Sequence, residues 1–240
     1  ITEGSIKDKR IKLALPIMAT FFVQVAYNMT DMIWLGRVGT KAVAASGTAG
    51  FFTWFASALF MIPKIGAEVS IAQAYGREDM ESAKKFASNT LKLSIVIALI
   101  YGLILILFRH EIIGFFNLRD AEVVGMAIDY LVIVSLGFIF YFINPVFSGI
   151  FNGSGNSTTP FKINSVGLIT NMILDPLMIM GIGPFPEMGI RGAAIATVIA
   201  QAIVTTIFII ISRKRSKIFK DLNFFTIPFD KECIRLIFQL

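Results

Sequence analysis

Four polar residues, Gln24, Tyr27, Asn28 and Asp31, interrupt a long apolar run that extends from Ile11 to Leu35. Their spacing places all four on one face of an α-helix. A charged aspartate at the centre of a membrane-spanning helix costs about 2.5 to 3.5 kcal/mol, so such a residue usually faces protein or water and has a function. Asp31 is therefore the first candidate for chemistry in this chain.

A second polar face occurs in the apolar run that contains Asn171, Asp175 and Pro176. Asn171 and Asp175 are one helical turn apart and share a face. Pro176 has no backbone N–H, which leaves the carbonyl oxygen of Met172 available to a cation or to water. This run therefore offers a second carboxylate with further oxygen ligands beside it.

Helix geometry places the two aspartates at a similar depth. At about 1.5 Å per residue, Asp31, Asp175 and Thr197 lie roughly 9 to 12 Å below the outer ends of their helices. Tyr27 and Asn171 lie one turn deeper and could complete a shell. Carboxylate, amide and hydroxyl oxygens suit a proton or a Na⁺-like ion and do not suit soft metals. The sequence thus predicts an ion site, with Na⁺ a candidate at Asp31, Asn171, Asp175 and Thr197.

Two charged and unpaired aspartates would cost roughly 5 to 7 kcal/mol, which is comparable with the stability of a whole domain. We therefore expect at least one of Asp31 and Asp175 to hold a proton or share a cation, and to exchange it during function. Gln24, Gln201 and Thr205 have a second interpretation, because such side chains also serve as ordinary hydrogen-bonding groups between membrane helices.

The composition identifies the elements that position these residues. The chain has 240 residues, of which 55% are hydrophobic and 16% charged, and its mean hydropathy is +0.74. These values predict an all-α integral membrane protein, since the alternating segments of membrane strands are absent from the sequence. We expect a six-transmembrane-helix bundle, with a kink of the fourth helix at Asn144-Pro145. The predicted spans are 12–36, 44–75, 87–108, 123–150, 161–183 and 190–212.

The distribution of Lys and Arg predicts the orientation of the bundle. The N-terminal segment, alternate connections and the basic segment after the sixth span carry more of these residues than the opposite connections. Both ends of this chain should therefore be cytoplasmic. The richer side contains Lys7, Lys9, Arg10, Lys12, Arg77, Lys84, Lys85, Lys162, Arg213, Lys214, Arg215, Lys217 and Lys220, and the other side contains Arg37, Lys41, Arg109, Arg119 and Arg191.

The second predicted span carries two further charges, Lys64 and Glu68. They are four residues apart, so they can pair on one helix face. Counted back from Gly76, they lie roughly 12 to 18 Å from the cytoplasmic end. A structural ion pair and an inner gate or substrate path are both consistent with this position. Asp129 lies near the outer end of the fourth span, where a structural role is expected.

Several other function classes are disfavoured. The loop at 151–160 contains Gly-x-Gly but lacks the Gly-Lys-Ser/Thr of a phosphate-binding loop, and no strand precedes it. A single Cys233 excludes an internal disulfide and a thiolate metal cluster. The net charge of +6 is explained by the orientation signal, so no nucleic-acid partner is invoked. We expect no enzymatic activity, and no cofactor beyond the ion (H⁺ or Na⁺) that would drive transport. The predicted ion site is confined to one leaflet of the membrane, so it does not line a continuous pore and a passive channel is disfavoured.

Several motifs together resemble one family. They are Leu15-Pro16-Ile, Tyr27-Asn-Met-Thr-Asp31-Met-Ile-Trp-Leu-Gly-Arg37-Val-Gly, Val43-Ala-Ala, Ala72-Gln73-Ala-Tyr-Gly76, Asn171-Met-Ile-Leu-Asp175-Pro176 and Gly189-Ile-Arg-Gly192-Ala-Ala-Ile-Ala-Thr197. Their order and spacing resemble the multidrug and toxic compound extrusion (MATE) family, and the acidic sites on spans one and five resemble its prokaryotic branch of DNA-damage-inducible F proteins.

The resemblance implies a two-lobe, twelve-helix transporter that exports cationic and amphiphilic drugs in exchange for H⁺ or Na⁺. Residues 1–212 would form the six-helix N-terminal lobe, and 213–240 a basic linker with the start of a seventh helix. The C-terminal lobe would belong to the same protein, which would act as a monomer in the plasma membrane. Asp31 would be the protonation site, completed by Tyr27, Asn171, Asp175 and Thr197. The substrate cavity would include Gln24, Asn28, Met178 and Gln201.

One departure from the family concerns Ser154, where some relatives carry a glutamate, so an acidic cytoplasmic site at that position is in doubt. Two alternative functions fit the sequence less well. A lipid or lipid-linked oligosaccharide flippase of the same superfamily would want an Arg-rich cavity, whereas the interior here offers Lys64. An intramembrane aspartyl protease would resemble Tyr-Asp and Gly-x-Gly-Asp, whereas Thr30 precedes Asp31 and Leu174 precedes Asp175.

Overall fold

The structure is a computed structural model that describes residues 6–215, 217–220 and 228–239, without the side chains of 6–13, 27, 28, 215, 217, 220 and 239. All regular structure in this part of the chain is helical. The helices are α1 (Ile6–Val38), α2 (Thr40–Gly76), α3 (Met80–Leu107), α4 (Arg109–Gly114), α5 (Ala121–Leu136), α6 (Phe138–Gly153), α7 (Thr158–Ile179), α8 (Gly189–Arg215), α9 (Lys217–Lys220) and α10 (Lys231–Gln239).

Six long helical segments correspond to the six predicted spans, with α5 and α6 together forming the fourth. Among the described residues, α2, α3 and α8 are each long and apolar enough to cross a membrane, and the bent pair α5–α6 makes a fourth such span. Helices α1 and α7 fall short of that criterion. They are the two helices that carry Asp31 and Asp175, and each also carries further polar residues. The predicted all-α bundle is confirmed.

The break in the fourth span lies at Gly137, which the sequence did not indicate, and the kink expected at Asn144-Pro145 stays a prediction. Helices α5 and α6 meet at Gly137 at an angle of 51°. Helix α6 then continues through Pro145 to Gly153. A Cβ atom on Gly137 would lie 2.5 Å from Cγ2 of Val198 on α8. The glycine therefore lets α8 approach closely at the bend, and this tertiary contact was not visible in the local sequence.

The helices form two connected groups. Helix α2 packs mainly against α3, α5 and α6, whereas α1 packs mainly against α7, which in turn packs against α8. Helix α8 also contacts α5 and α6 and so joins the groups. Buried aromatic residues fill the contacts, with Phe138 and Phe142 in one cluster and Phe147, Phe151 and Phe208 in the other. The three helices that carry the candidate site are therefore neighbours.

Helices α2 and α6 touch through their backbones. A Cβ atom on Gly149 would lie 2.6 Å from the carbonyl oxygen of Lys64, and one on Gly153 would lie 2.5 Å from that of Glu68. Glycines four residues apart commonly permit such close packing between membrane helices. The turn of α2 that carries Lys64 and Glu68 is therefore held directly against α6.

Ion pairs tie the helices together at the end of the bundle where α2, α5 and α8 begin. The Nζ atom of Lys41 lies 2.9 Å from an Asp120 oxygen and 2.5 Å from a Glu122 oxygen. The hydrogen bond from Lys41 holds the pKa of the Asp120 carboxyl below its usual value. Arg191 Nη2 lies 2.7 Å from Oδ2 of Asp129, which joins α8 to α5. Asp129 thus has the structural contact that its position near the outer end suggested.

Helix α10 docks against the C-terminal half of α2 and the N-terminal part of α3. Asp230 forms an ion pair with Lys85, and its backbone N–H donates a hydrogen bond of 2.9 Å to Oδ1 of Asn89. Cys233 and Ile237 are buried, and Ile237 lies directly against Gly66 of α2. The expected linker and seventh-helix start at 213–240 fall partly outside the described residues, so that division of the chain stays a prediction.

Candidate functional site

The carboxyl groups of Asp31 and Asp175 lie side by side between α1 and α7. Asp175 is fully buried, and one oxygen of Asp31 is buried as well. Two carboxylates in contact repel each other, and burial removes the water that would screen the repulsion. The fold therefore stabilises this contact only if a positive charge or a proton is shared between the two side chains.

Two neighbours orient the acidic pair. Nδ2 of Asn171 donates a hydrogen bond of 3.0 Å to Oδ1 of Asp175, one turn further along α7. Oγ1 of Thr197 on α8 donates a longer hydrogen bond, 3.4 Å, to Oδ2 of Asp31. Asn171 is fully buried and Thr197 nearly so. Three helices thus contribute one polar cluster, and four of the five residues expected at the ion site are brought together.

Three oxygen atoms of this cluster are buried and accept no hydrogen bond from the described residues. They are Oδ1 of Asp31, Oδ1 of Asn171 and Oδ2 of Asp175. A buried acceptor without a donor costs about 1 to 3 kcal/mol, and more when it is charged. A proton or a small cation among these oxygens would satisfy them together. Their chemistry is that of hard oxygen ligands, which fits H⁺ or Na⁺.

Larger metal sites do not occur in the part of the chain that the structure describes, since no three His, Cys, Asp or Glu side chains are grouped there. Two tyrosines that sequence reasoning missed lie near the acidic pair. Tyr130 of α5 is close enough to interact electrostatically with Asp31 and Asp175, and Tyr141 of α6 with Asp31. Their positions depend on the bend at Gly137, so the local sequence gave no signal for them.

A neutral polar network links α6 to α8 one to two turns beyond Thr197 along α8. Nδ2 of Asn144 donates a hydrogen bond of 2.7 Å to Oε1 of Gln201, and Oδ1 of Asn144 accepts one of 2.7 Å from Thr205. Asn144 and Thr205 are buried. The side chains of Gln201 and Thr205 therefore form hydrogen bonds between helices, which is consistent with their interpretation as ordinary interhelical groups.

The structure brings together two of the residues expected at the substrate cavity, Gln24 and Gln201. Gln24 is exposed and lines a narrow cleft with Asn164 and Gln201 between α1, α7 and α8. Met178 is 5% exposed and packs in the core. The side chains of Tyr27 and Asn28 lie outside the described residues. The assignments of these residues to an ion shell or a cavity stay predictions.

Lys64 and Glu68 do not form an ion pair with each other. The Lys64 ammonium lies over the ring of Phe21 on α1, 5.7 Å from its centroid. The Glu68 carboxylate lies beside the Asn152 side chain of α6. Each charge is thus directed to a different neighbouring helix, although the two residues are one turn apart.

Comparison with known proteins decides the family. Residues 16–177 match the MatE family, a stretch that includes both aspartates and runs from α1 to the end of α7. The chain belongs to the MatE family. Members of this family are membrane transporters and not enzymes, and they are multi-pass membrane proteins.

Known relatives resemble this chain in sequence and in fold. The chain is 31% identical over 215 residues to a probable multidrug resistance protein NorM of Thermotoga maritima, a match that covers 88% of this chain and 46% of that protein. A multidrug resistance MATE transporter in an outward-facing conformation has a TM-score of 0.88 at 24% identity, over 99% of this chain and 51% of that one. A MOP superfamily transporter from Pyrococcus furiosus has a TM-score of 0.87 at 24% identity, over 98% of this chain and 51% of that one.

This chain thus spans about half the length of the relatives it matches. The likeness to these structures concerns the fold alone. What the acidic pair does, and what the whole transporter carries, are separate questions.

Proposed function

We propose that this chain is the N-terminal half of an ion-coupled antiporter that exports amphiphilic drugs, cationic ones among them, by alternating access. The observation that carries the proposal is the group of three buried oxygens on Asp31, Asn171 and Asp175 that accept no hydrogen bond from the described residues. These oxygens lie on α1 and α7, and Thr197 of α8 donates a hydrogen bond to Asp31, so the contacts between the three helices become more or less stable as the ion enters and leaves. Movement of α1 against α7 and α8 would then follow ion exchange.

The coupling ion is H⁺ or Na⁺, and the donor set accepts either. Two carboxylates, an amide oxygen and a hydroxyl can share one proton through a short hydrogen bond or surround one dehydrated cation. The similarity to the Thermotoga maritima protein supports drug export as the class of function. The excess of Lys and Arg at one end of the bundle supports a plasma-membrane protein whose described ends face the cytoplasm.

The test is efflux from proteoliposomes that contain the intact transporter, driven by one gradient at a time. A pH difference of one unit supplies about 1.4 kcal/mol per proton, enough for a tenfold substrate gradient at one-to-one exchange. Drug accumulation under an imposed pH gradient, and not under a Na⁺ gradient, identifies H⁺ as the coupling ion, and the reverse result identifies Na⁺. Accumulation under neither gradient would contradict the proposed antiport.

A further inference from the structure

Lys64 is a charged side chain within a membrane span that forms no ion pair with any described carboxylate. A lysine at the centre of a span costs about 2.5 to 3.5 kcal/mol on insertion scales, and it is tolerated where it faces water, a partner or a ligand. Lys64 is half-buried and lies 12 residues before the end of α2 at Gly76, roughly 18 Å from the inner end.

The ammonium of Lys64 rests on an open apolar surface. It lies 5.7 Å from the centroid of the Phe21 ring and 4.0 Å from the sulfur of Met61. Phe21 is 61% exposed, Met18 on the same face of α1 is 56% exposed, and Met61 is 37% exposed. We call the group of Met18, Phe21, Met61 and Lys64 the Lys64 surface. It combines one fixed positive charge with aromatic and thioether groups that adapt to varied shapes.

The nearest carboxylate does not neutralise this charge by contact. Glu68 lies one turn along α2 but beside Asn152 of α6. The backbone contacts of Gly149 and Gly153 fix this turn of α2 against α6. The Lys64 ammonium lies over Phe21 of α1. The Glu68 carboxylate, beside Asn152 of α6, attracts the lysine without forming an ion pair with it.

We propose that the Lys64 surface is a binding subsite for the anionic group of an amphiphile, such as a carboxylate, sulfonate or phosphate attached to an aromatic body. The anion would pair with Lys64, and the body would lie on Phe21 and the two methionines. To call this ligand a substrate rests on the proposed export function, whereas its binding to the Lys64 surface does not. The subsite would favour anionic over cationic compounds, which narrows the substrate class expected from the resemblance.

The subsite is separate from the acidic pair. Asp31 lies ten residues beyond Phe21 on α1, roughly 15 Å further toward the outer end. The coupling ion and the substrate anion therefore do not compete for the same groups. Charge discrimination between substrates would come from Lys64, while Asp31 and Asp175 remain available to the ion.

Binding of two dyes that share a xanthene ring system tests the proposal. Fluorescein is anionic and rhodamine 6G is cationic, and fluorescence anisotropy reports the binding of each to the intact transporter in phosphatidylcholine nanodiscs. We expect fluorescein to bind more tightly than rhodamine 6G. The Lys64→Gln substitution should weaken fluorescein binding about tenfold and leave rhodamine 6G binding unchanged or tighter. Lys64→Arg should retain the preference for fluorescein.

Three controls separate the outcomes. Lys162→Gln removes the same charge from an exposed site on α7 and should change neither dye. Phe21→Ala keeps the lysine, alters an exposed side chain with little effect on folding, and should weaken both dyes. Equal fluorescein affinity in wild type and Lys64→Gln would overturn the proposal, as would an equal loss in Lys162→Gln.

The lipid composition provides the last arm. If phosphatidylglycerol in the nanodiscs abolishes fluorescein binding, the surface binds lipid headgroups and the substrate assignment is overturned. Undiminished fluorescein binding in those nanodiscs supports a small-molecule subsite. Because the assay uses no ion gradient, an intact transporter that binds fluorescein through Lys64 but does not support efflux would contradict the proposed antiport and leave the subsite intact.

Discussion

Asp31 of α1 and Asp175 of α7 bring their carboxyl groups side by side, although 143 positions separate them in the chain. Neither residue is paired with Lys or Arg among the described side chains, in contrast to Asp129, which pairs with Arg191. The two kinds of aspartate therefore differ in how their charge is balanced. Asp129 is balanced permanently by the protein, and the acidic pair depends on an exchangeable ion.

Thr197 should tune the affinity for that ion. Its hydrogen bond to Asp31 is long, at 3.4 Å, and a weak hydrogen bond of this kind contributes about 0.5 to 1.5 kcal/mol. We expect Thr197→Val to raise the ion concentration for half-maximal efflux about threefold to tenfold. Thr197→Ser keeps the hydroxyl and should resemble wild type. Identical effects of valine and serine would show that the hydroxyl does not act on the site.

Asn144 should stabilise the contact between α6 and α8. The substitution Asn144→Leu leaves the side chains of Gln201 and Thr205 without their shared partner, so we expect the free energy of unfolding to fall by about 1 to 3 kcal/mol. Denaturant titration in detergent measures the change. Thr206→Val is the matched control, because the exposed Thr206 bonds within its own helix. A loss in the control as large as in Asn144→Leu would contradict the assigned network.

The spans and their order could be predicted because length and hydropathy decide them locally. The common depth of Asp31, Asp175 and Thr197 followed from the helical rise alone, and these residues do lie together in the structure. For the fourth span, the local sequence drew attention to Pro145, since proline is the residue known to kink helices. The break at Gly137 could not be predicted, because it accompanies a close tertiary contact with Val198 of α8. For the same reason the sequence did not indicate that Tyr130 and Tyr141 lie near the pair.

Gly153 should be intolerant of even a small side chain. A Cβ atom there would lie 2.5 Å from the carbonyl oxygen of Glu68, a backbone atom that cannot easily shift. We expect Gly153→Ala to lower the free energy of unfolding by about 1 to 3 kcal/mol. Gly125 on α5 has open space around it, so Gly125→Ala should be neutral or stabilising by up to about 1 kcal/mol. Thermal unfolding of both variants checks the opposite signs, and equal destabilisation would contradict the close packing of α2 and α6.

The docking of α10 should depend on pH through Asp230. The ion pair with Lys85 holds the pKa of the Asp230 carboxyl below its usual 3.8. Because the folded-state pKa is lowered, the stabilisation is complete above about pH 4 and is lost as the pH falls through the lowered value. The chain therefore keeps α10 docked at neutral pH.

The single Cys233 reports this docking, since it lies on α10 itself and is buried in the docked state. We expect Lys85→Gln to increase the rate of maleimide labelling of Cys233 severalfold at neutral pH. Lys231→Gln removes a charge from the exposed side of α10 and should leave the rate unchanged. Equal labelling rates in wild type and Lys85→Gln would show that the ion pair does not hold the helix.

The sequence could not predict the separation of Lys64 from Glu68, although it identified both residues. A spacing of four residues makes pairing on one helix possible, but neighbouring helices decide whether it occurs. Here Phe21 and Asn152 take the two side chains in different directions. Charges on a membrane helix therefore have to be assigned from the packing around them as well as from their spacing.

Proton uptake tests the central claim most directly. Reconstituted protein is exposed to a step in pH, and the protons bound are counted for wild type, Asp31→Asn, Asp175→Asn and the control Asp129→Asn. If the acidic pair is the coupling site and H⁺ is the ion, uptake falls by about one proton in Asp31→Asn and in Asp175→Asn and is unchanged in the control. If Na⁺ is the ion, Na⁺ binding is lost in the same two variants and is unchanged in the control. Proton uptake and Na⁺ binding that both remain at the wild-type level in Asp31→Asn and Asp175→Asn would contradict the account.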